Sequence, residues 1–95
     1  MGLVEVIKSP IEGKKWRAVF NTKGREHHTD FGDSSMQDYT QHHDQQRRAN
    51  YQSRHKKDLL TNDPTRAGYL SYYILWGPST DMNANIRAYK KRFHL

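Results

Sequence analysis

Apolar and polar positions alternate in the first third of the chain, where two stretches show the two-residue period of half-buried strands. Trp16, Ala18 and Phe20 share one face of the first stretch, and the second stretch covers residues 25–31. Residues 21–24 lie between them and form a turn signal, with a glycine that tolerates positive φ. This pattern predicts a β-hairpin.

The first thirteen residues form a separate stretch. Leu3 to Ile7 are mostly apolar, and Ser9-Pro10 and Glu12-Gly13 follow them as turn signals. We therefore expect residues 1–13 to form an N-terminal arm or a short strand, which is able to add a third strand to the hairpin. Residues 14–95 are expected to form a single compact domain.

A helical period begins after the hairpin. Ser35 is the predicted N-cap, and no Pro or Gly interrupts the chain from there to about Lys57, although a break near Asn50 is an alternative. The positions at helical spacing form only a thin stripe, which consists of Met36, Tyr39, His43, Tyr51 and His55. Because a helix this polar buries little surface, we expect it to be used in binding.

The next helix is predicted to begin at Asp63-Pro64 and to end at Gly77-Pro78. Its apolar and aromatic side chains cover two sides, one formed by Ala67, Leu70 and Ile74 and the other by Tyr69, Tyr72 and Trp76. A helix that is apolar nearly all round is buried on more than one side. We expect the hairpin and the last helix to cover it, apart from an aromatic edge at Tyr72 or Trp76 that a partner is able to contact.

The last helix follows Asp81, and Met82, Ile86, Tyr89 and Phe93 give it an amphipathic 4-3-4 spacing. A short turn joins it to the preceding helix, which predicts a helical hairpin. The expected fold is therefore α+β, with an N-terminal β-hairpin followed by three α-helices.

Composition removes several classes of protein. The chain has 95 residues, 34 % of them hydrophobic, and a mean hydropathy of −1.11, so its core is small and depends on aromatic residues. The absence of cysteine excludes disulfides and thiolate metal sites. No apolar run approaches the roughly 20 residues of a membrane-spanning helix, and the N-terminus has no signal-peptide pattern. We expect a protein that is neither secreted nor membrane-spanning.

The histidines and carboxylates give no catalytic or metal-binding pattern. His27-His28 and His42-His43 are adjacent pairs, whose members point in different directions on a strand or a helix. The three glutamates lie in the N-terminal third, and most aspartates occupy cap or turn positions. No phosphate-binding glycine loop or nucleophile motif is present. We expect no enzyme activity, metal, cofactor or small-molecule substrate.

Charge is more informative than any motif. Sixteen Lys and Arg against ten Asp and Glu give a formal charge of +6. This charge favours nucleic acid or an acidic protein surface as the partner. The alternative is a basic face that is only solvated and binds no partner. The predicted binding face lies on the polar helix and consists of Arg47, Arg48, Arg54, His55, Lys56 and Lys57. Secondary basic clusters are Lys14, Lys15, Arg17, Lys90, Lys91 and Arg92.

Ordered motifs from residue 14 to residue 95 also carry a family resemblance. They are KKWRAVF, TDFGD, Asp38-Tyr39-Thr40 with His42 and Asp44, Tyr51 with Arg54-His55-Lys56-Lys57, Asp63-Pro64, Ala67-Gly68, Leu70-Ser71, Ile74-Leu75-Trp76 and Tyr89-Lys90-Lys91-Arg92-Phe93. In these motifs the chain resembles a short uncharacterised family encoded by large eukaryotic DNA viruses, the phycodnavirus and mimivirus relatives. Gly77-Pro78 and Tyr72-Tyr73 depart from that family's pattern.

The resemblance implies a viral setting, in the virion and the host-cell cytoplasm, but no activity. Two roles agree with it. The first is a minor capsid or other virion structural protein that binds viral structural proteins, and the N-terminal arm favours this role. The alternative is a nucleic-acid-binding or genome-packaging accessory protein that uses the basic helix. Distributed acidic residues argue mildly against a dedicated DNA condenser, so the structural role is favoured by a small margin.

Overall fold

A computed structural model describes residues 1–95, and its N-terminal third is a three-stranded antiparallel sheet. The strands are β1 (Gly2–Lys8), β2 (Lys14–Thr22) and β3 (Arg25–Asp33), in the order β1-β2-β3. Lys23 and Gly24 connect β2 to β3 with positive φ at both residues, as a tight hairpin turn requires. The predicted hairpin is therefore confirmed, and the N-terminal residues supply a third strand.

One face of the sheet forms half of the core. Ala18, Phe20 and Phe31 are completely buried on this face, and Leu3 of β1 joins them. The pairing register places Trp16 opposite Phe31, in agreement with the two-residue period of the sequence. β1 carries an irregularity between Leu3 and Glu5, where the register shifts, and it forms one edge of the sheet.

The long polar helix that was predicted from Ser35 is wrong in its extent, because the chain divides there into three pieces. Helix α1 covers only Tyr39–His42, helix α2 covers Gln45–His55, and a 3-10 helix continues from Lys56–Thr61. Asp38 and Asp44 are the N-caps of α1 and α2, and His43 between them has φ of 57° in the left-handed region. Ser35 donates to Asp33 in the preceding turn, so it caps no helix.

The next helical segment begins later than the sequence predicts. The side chain of Asp63 accepts hydrogen bonds from the backbone and hydroxyl of Thr65, which closes a turn in place of a first helical turn. Helix α3 then covers Ala67–Leu70 and continues directly into a π-helical turn, Ser71–Leu75. At the end of this turn the backbone N–H of Trp76 donates a hydrogen bond to the carbonyl oxygen of Ser71. Leu70, Ile74 and Leu75 are buried against the sheet and the last helix.

Helix α4 (Met82–Phe93) completes the fold and begins at Asp81, the predicted N-cap. Tyr89 is buried, while Met82, Ile86 and Phe93 pack against the core, which confirms the predicted amphipathic spacing. The α+β class is therefore confirmed, although the number and order of the helices differ from the predicted three. None of the helices has the length and apolar character needed to cross a bilayer.

Candidate functional site

None of the residues of helix α2 is fully buried. The helix is held to the rest of the protein mainly by contacts between aromatic rings. Tyr51 lies parallel to Trp76, with 4.2 Å between the ring centroids and 4° between the ring planes. His55 stacks on Tyr51 at 4.2 Å, and His42 of α1 lies tilted against Trp76 at 5.2 Å. We call these four residues, His42, Trp76, Tyr51 and His55, the aromatic stack.

Two polar side chains of α2 reinforce this attachment. Arg48 Nε donates to the carbonyl oxygens of Trp76 at 3.1 Å and Gly77 at 2.8 Å, and its guanidinium lies 5.6 Å from the centre of the Tyr39 ring. Gln52 Nε2 donates to the same Trp76 carbonyl at 3.2 Å. Of the predicted basic face, Arg48 therefore has its charged group engaged inside the molecule.

A cleft of about 320 Å³ opens beside the stack, between α2, the segment that follows β3 and the π-helical turn. Five of its residues come from one face of α2, since Arg47, Asn50, Tyr51, Arg54 and His55 recur every three or four positions. The remaining residues that line the cleft are Lys15, Gly32, Asp33, Met36, Gln37, Ser71, Leu75 and Trp76.

Arg47 and Arg54 are the unpaired cations of this cleft. Both are exposed, and neither forms an ion pair with a carboxylate. Two turns of helix separate them, so their Cα atoms lie about 10 Å apart along the axis. They place two free guanidinium groups along one rim, which is an arrangement suited to anionic oxygens.

The other charged groups that line the cleft are already engaged. Lys15 Nζ lies 2.6 Å from the carboxylate of Asp38 and 2.6 Å from the side-chain oxygen of Gln41. Asp33 accepts from the hydroxyl and the backbone of Ser35, and these hydrogen bonds hold the pKa of its carboxyl below the ordinary value. Asp33 keeps its negative charge because Ser35 is neutral, but the two unpaired guanidinium groups outweigh it, so the net unpaired charge facing the cleft is positive.

The aromatic rings of the cleft contribute surface for ring contacts. Burial raises the pKa of Tyr51 to about 12, so its phenol stays neutral. His55 Nδ1 lies 3.0 Å from the carboxylate of Asp58, which fixes the orientation of the ring. Ser71 and His55 both line the cleft, but no hydrogen bond joins the hydroxyl to the imidazole as in a nucleophile–base pair. No group of three His, Asp or Glu side chains that could hold a metal ion is present in the protein. The cleft is equipped to bind a ligand by charge and by ring contacts.

The other predicted basic residues lie in different settings. Lys56 and Lys57 are exposed on the 3-10 helix that continues α2, and Lys14 is exposed on β2. Arg17 pairs with Asp30 at 2.9 Å, and the guanidinium of Arg92 lies 4.8 Å from the centre of the Tyr73 ring. Lys90 is half-buried and Lys91 is exposed on α4. Of the predicted basic residues, only Lys15, Arg47, Arg54 and His55 line the cleft.

The aromatic edge expected at Tyr72 and Trp76 divides between two places. Trp76 is only 8 % exposed, because its ring lies under Tyr51 and beside His42. Tyr72 is half-buried and packs edge-on against Tyr73. Met36, Asn50 and Tyr51 were not predicted as site residues. The spacing of Arg47, Asn50, Tyr51 and Arg54 already placed Asn50 and Tyr51 on the same helical face as the two arginines, whereas Met36 lies outside the helix.

Comparison with protein families adds one match. A family described as "Family of unknown function (DUF5754)" matches residues 4–55, which is more than half of the chain. The chain belongs to this family. The matched segment of this DUF5754 protein begins in β1 and ends with α2, and it includes all lining residues of the cleft except Ser71, Leu75 and Trp76.

The DUF5754 description gives neither a source nor an activity. No curated protein and no solved structure matches the chain. The resemblance to a family of large DNA viruses therefore stays a prediction.

Proposed function

We propose that this DUF5754 protein is a non-enzymatic nucleic-acid-binding protein that holds the phosphate backbone with the exposed cations of α2. The observation that carries the proposal is the pair of free guanidinium groups, Arg47 and Arg54, on the rim of the cleft. Arginine forms charge-assisted, bidentate hydrogen bonds with phosphate oxygens, and each phosphate that is neutralised releases counterions.

The distribution of charge supports this proposal. Residues 38–95 carry ten Lys and Arg against five Asp and no Glu, whereas residues 1–37 carry six basic residues against five acidic ones. Neither α2 nor α4 contains a carboxylate. The positive charge is therefore concentrated in the helical part of the molecule, where a polyanion is attracted most strongly.

The test is a salt titration of binding to short single-stranded and duplex DNA. Exchanging Arg47 and Arg54 together for Gln should weaken binding at low salt and lower the slope of log K against log salt by roughly 1 to 2, since each lost phosphate contact removes slightly less than one unit. Fluorescence anisotropy of a labelled oligonucleotide measures both quantities.

The matched control is the double exchange of Lys23 and Arg25 for Gln. Both residues are exposed at the β2–β3 turn, and the loss of net charge is the same. The control should retain most of the affinity. Equal losses in the two double variants would show that net charge alone governs binding, and an absence of binding at low salt would refute the proposal.

A second candidate function, that of a minor capsid or other virion structural component, is favoured by the free edge of β1. This strand pairs only with β2, and it exposes Val4 by 58 % and Ile7 by 40 %, with Ile11 exposed in the following turn. An edge strand with exposed apolar residues is able to accept a strand from a neighbouring protein.

Particle composition tests this second candidate. Mass spectrometry of virus particles from which the genome has been removed should find the protein in the shell at a fixed copy number. The exchange Ile7→Lys should reduce its incorporation without unfolding it, because Ile7 lies outside the core cluster. Loss of the protein together with the genome would favour the nucleic-acid role instead.

A further inference from the structure

The aromatic stack has one open end, and that end faces the cleft. Trp76 is enclosed by His42 and Tyr51, and Tyr51 is enclosed by Trp76 and His55. His55 is the last ring, and its side chain remains 39 % exposed although Tyr51 covers one face and Asp58 holds Nδ1. A further planar ring is able to extend a stack of this kind.

Other residues that line the cleft suit the apolar faces and the hydrogen-bonding edge of a base. Met36 lines the same cleft with a side chain that is 56 % exposed, and thioether sulfur makes favourable contacts with aromatic rings. Asn50 lies between the two arginines on α2 and accepts from Gln46 through Oδ1, which leaves its amide N–H groups as donors. The edge of a base offers acceptors for such donors.

We propose that the cleft holds one nucleotide of a single-stranded nucleic acid. The base extends the aromatic stack at His55 and contacts Met36, while the flanking phosphates meet Arg47 and Arg54. This inference rests on the proposed nucleic-acid function and adds the class of substrate, a single strand with an accessible base.

The size of the cleft decides between a single strand and a duplex. About 320 Å³ is near the lower limit for small-ligand pockets, enough for a single nucleotide unit. Both faces of a base inside a duplex are already stacked, and its hydrogen-bonding edge is paired. To use the cleft, a duplex has to release a base from its stack, which is costly, whereas a single strand does not. The protein therefore prefers single strands.

The experiment compares three ligands, of which the two single strands carry the same backbone charge and the duplex carries about twice as much. They are an oligothymidylate of about 12 nucleotides, the same backbone with abasic sites throughout, and a duplex of the same length. We expect the intact single strand to bind about tenfold more tightly than the abasic strand, since stacking of one base contributes about one order of magnitude. The duplex should also bind more weakly than the intact strand.

Variants distinguish the contribution of the base to affinity from that of the phosphates. Met36→Ala and His55→Ala should reduce the ratio of intact to abasic affinity towards one, whereas His55→Phe keeps a ring and should preserve the ratio. Arg54→Gln should weaken both strands by a similar factor, and Lys57→Gln, which removes the same charge outside the cleft, should weaken them less. Met36 is exposed, so its exchange tests the site without endangering the fold.

Three results would contradict the inference in distinguishable ways. Equal affinity for intact and abasic strands would show that α2 binds phosphate without base insertion, which leaves the proposed function standing. Tighter binding of the duplex would lead to the same conclusion. No binding of any of the three ligands would remove the inference and the proposed nucleic-acid function together.

Discussion

At the scale of single residues, Asn85 is, with Asp38, one of the two buried polar side chains. It is almost fully buried, and its amide donates to the carbonyls of Ile74 at 2.8 Å and Ser79 at 2.7 Å while its oxygen accepts from the N–H of Ser79. Gly77 lies directly beside it, where a Cβ atom would come within 2.8 Å of Asn85 Cγ and 2.2 Å of the Tyr73 carbonyl oxygen. Asn85 thus fixes the turn between the π-helical segment and α4.

The exchange Asn85→Ala should destabilise the protein by about 2–4 kcal/mol, because it leaves buried backbone groups without partners. Urea unfolding followed by tryptophan fluorescence measures this change in free energy. Asn83→Ala is the matched control on the same helix, since Asn83 is exposed and should tolerate the exchange. A loss for Asn85→Ala that is no larger than the loss for Asn83→Ala would contradict the role assigned to the buried hydrogen bonds of Asn85.

His42 makes stability depend on pH. Burial, followed by the nearby charge of Arg47, lowers the pKa of its imidazole from 6.5, and Asp44 and Asp38 oppose this shift only partly. The ring accepts from the N–H of Asp44 through Nδ1, while its buried Nε2 has no hydrogen-bond partner. The folded protein therefore favours neutral His42.

The direction of the pH effect follows from this shift. The unfolded chain binds a proton at His42 more readily than the folded chain, so the contribution of His42 is fully present above pH 6.5 and decreases as the pH falls below that value. Urea unfolding at about pH 5 and about pH 7.5 should show a smaller loss on acidification for His42→Phe than for the wild type. If acidification lowers the free energy of unfolding equally in His42→Phe and the wild type, the pH dependence arises from groups other than His42.

At the scale of elements, α2 depends on contacts that lie outside its own sequence. It buries no residue completely, and it is attached through Tyr51, Arg48 and Gln52, all of which contact Trp76 or its carbonyl. An element with so few buried contacts opens more easily than the sheet. Trp76 is therefore the attachment point of the whole helix.

The exchange Tyr51→Ala should release α2 locally. Amide hydrogen exchange in residues 45–55 should accelerate at least about tenfold, which corresponds to about 1.4 kcal/mol, while the amides of β2 and α4 stay protected. Arg47→Ala on the exposed face of α2 is the control and should leave exchange nearly unchanged. Equal acceleration throughout the protein would show that α2 opens only with global unfolding.

Elements with regular periods were predictable, and those with irregular backbone were not. The two-residue period of Trp16, Ala18 and Phe20 and the 4-3-4 spacing of α4 appear in the structure as expected. The polar segment after β3 gave no apolar period that would reveal its division. Its ends are set by Asp38 and Asp44, whose capping bonds compete with a continuous helix.

The π-helical turn explains why Tyr69 and Trp76, which the sequence placed on one side of a single helix, pack in different places. An ideal helix places Tyr69, Tyr72 and Trp76 together, but the wider turn at Ser71–Leu75 rotates the residues after it. Tyr69 and Tyr73 pack with Phe93, whereas Trp76 joins Tyr51 of α2. No periodic pattern contains the information for this extra residue.

At the scale of the whole molecule, only part of the candidate site was visible in the sequence. The basic face on α2 was predicted from composition, but the cleft requires the segment around Met36, the π-helical turn and α2 to meet in space. Arg48, a member of the predicted face, turns inward because the carbonyls of Trp76 and Gly77 need a donor there. Side-chain direction of this kind depends on tertiary contacts.

The attachment of α2 around Trp76 affects how tightly any ligand is held. The cleft exists only while the helix is docked, so every molecule with an undocked helix is unable to bind, and the apparent dissociation constant is the intrinsic one divided by the docked fraction. Warming should therefore weaken binding faster than it unfolds the sheet. Conversely, any ligand that binds only the docked form shifts the equilibrium towards it, so ligand occupancy and the order of α2 increase together.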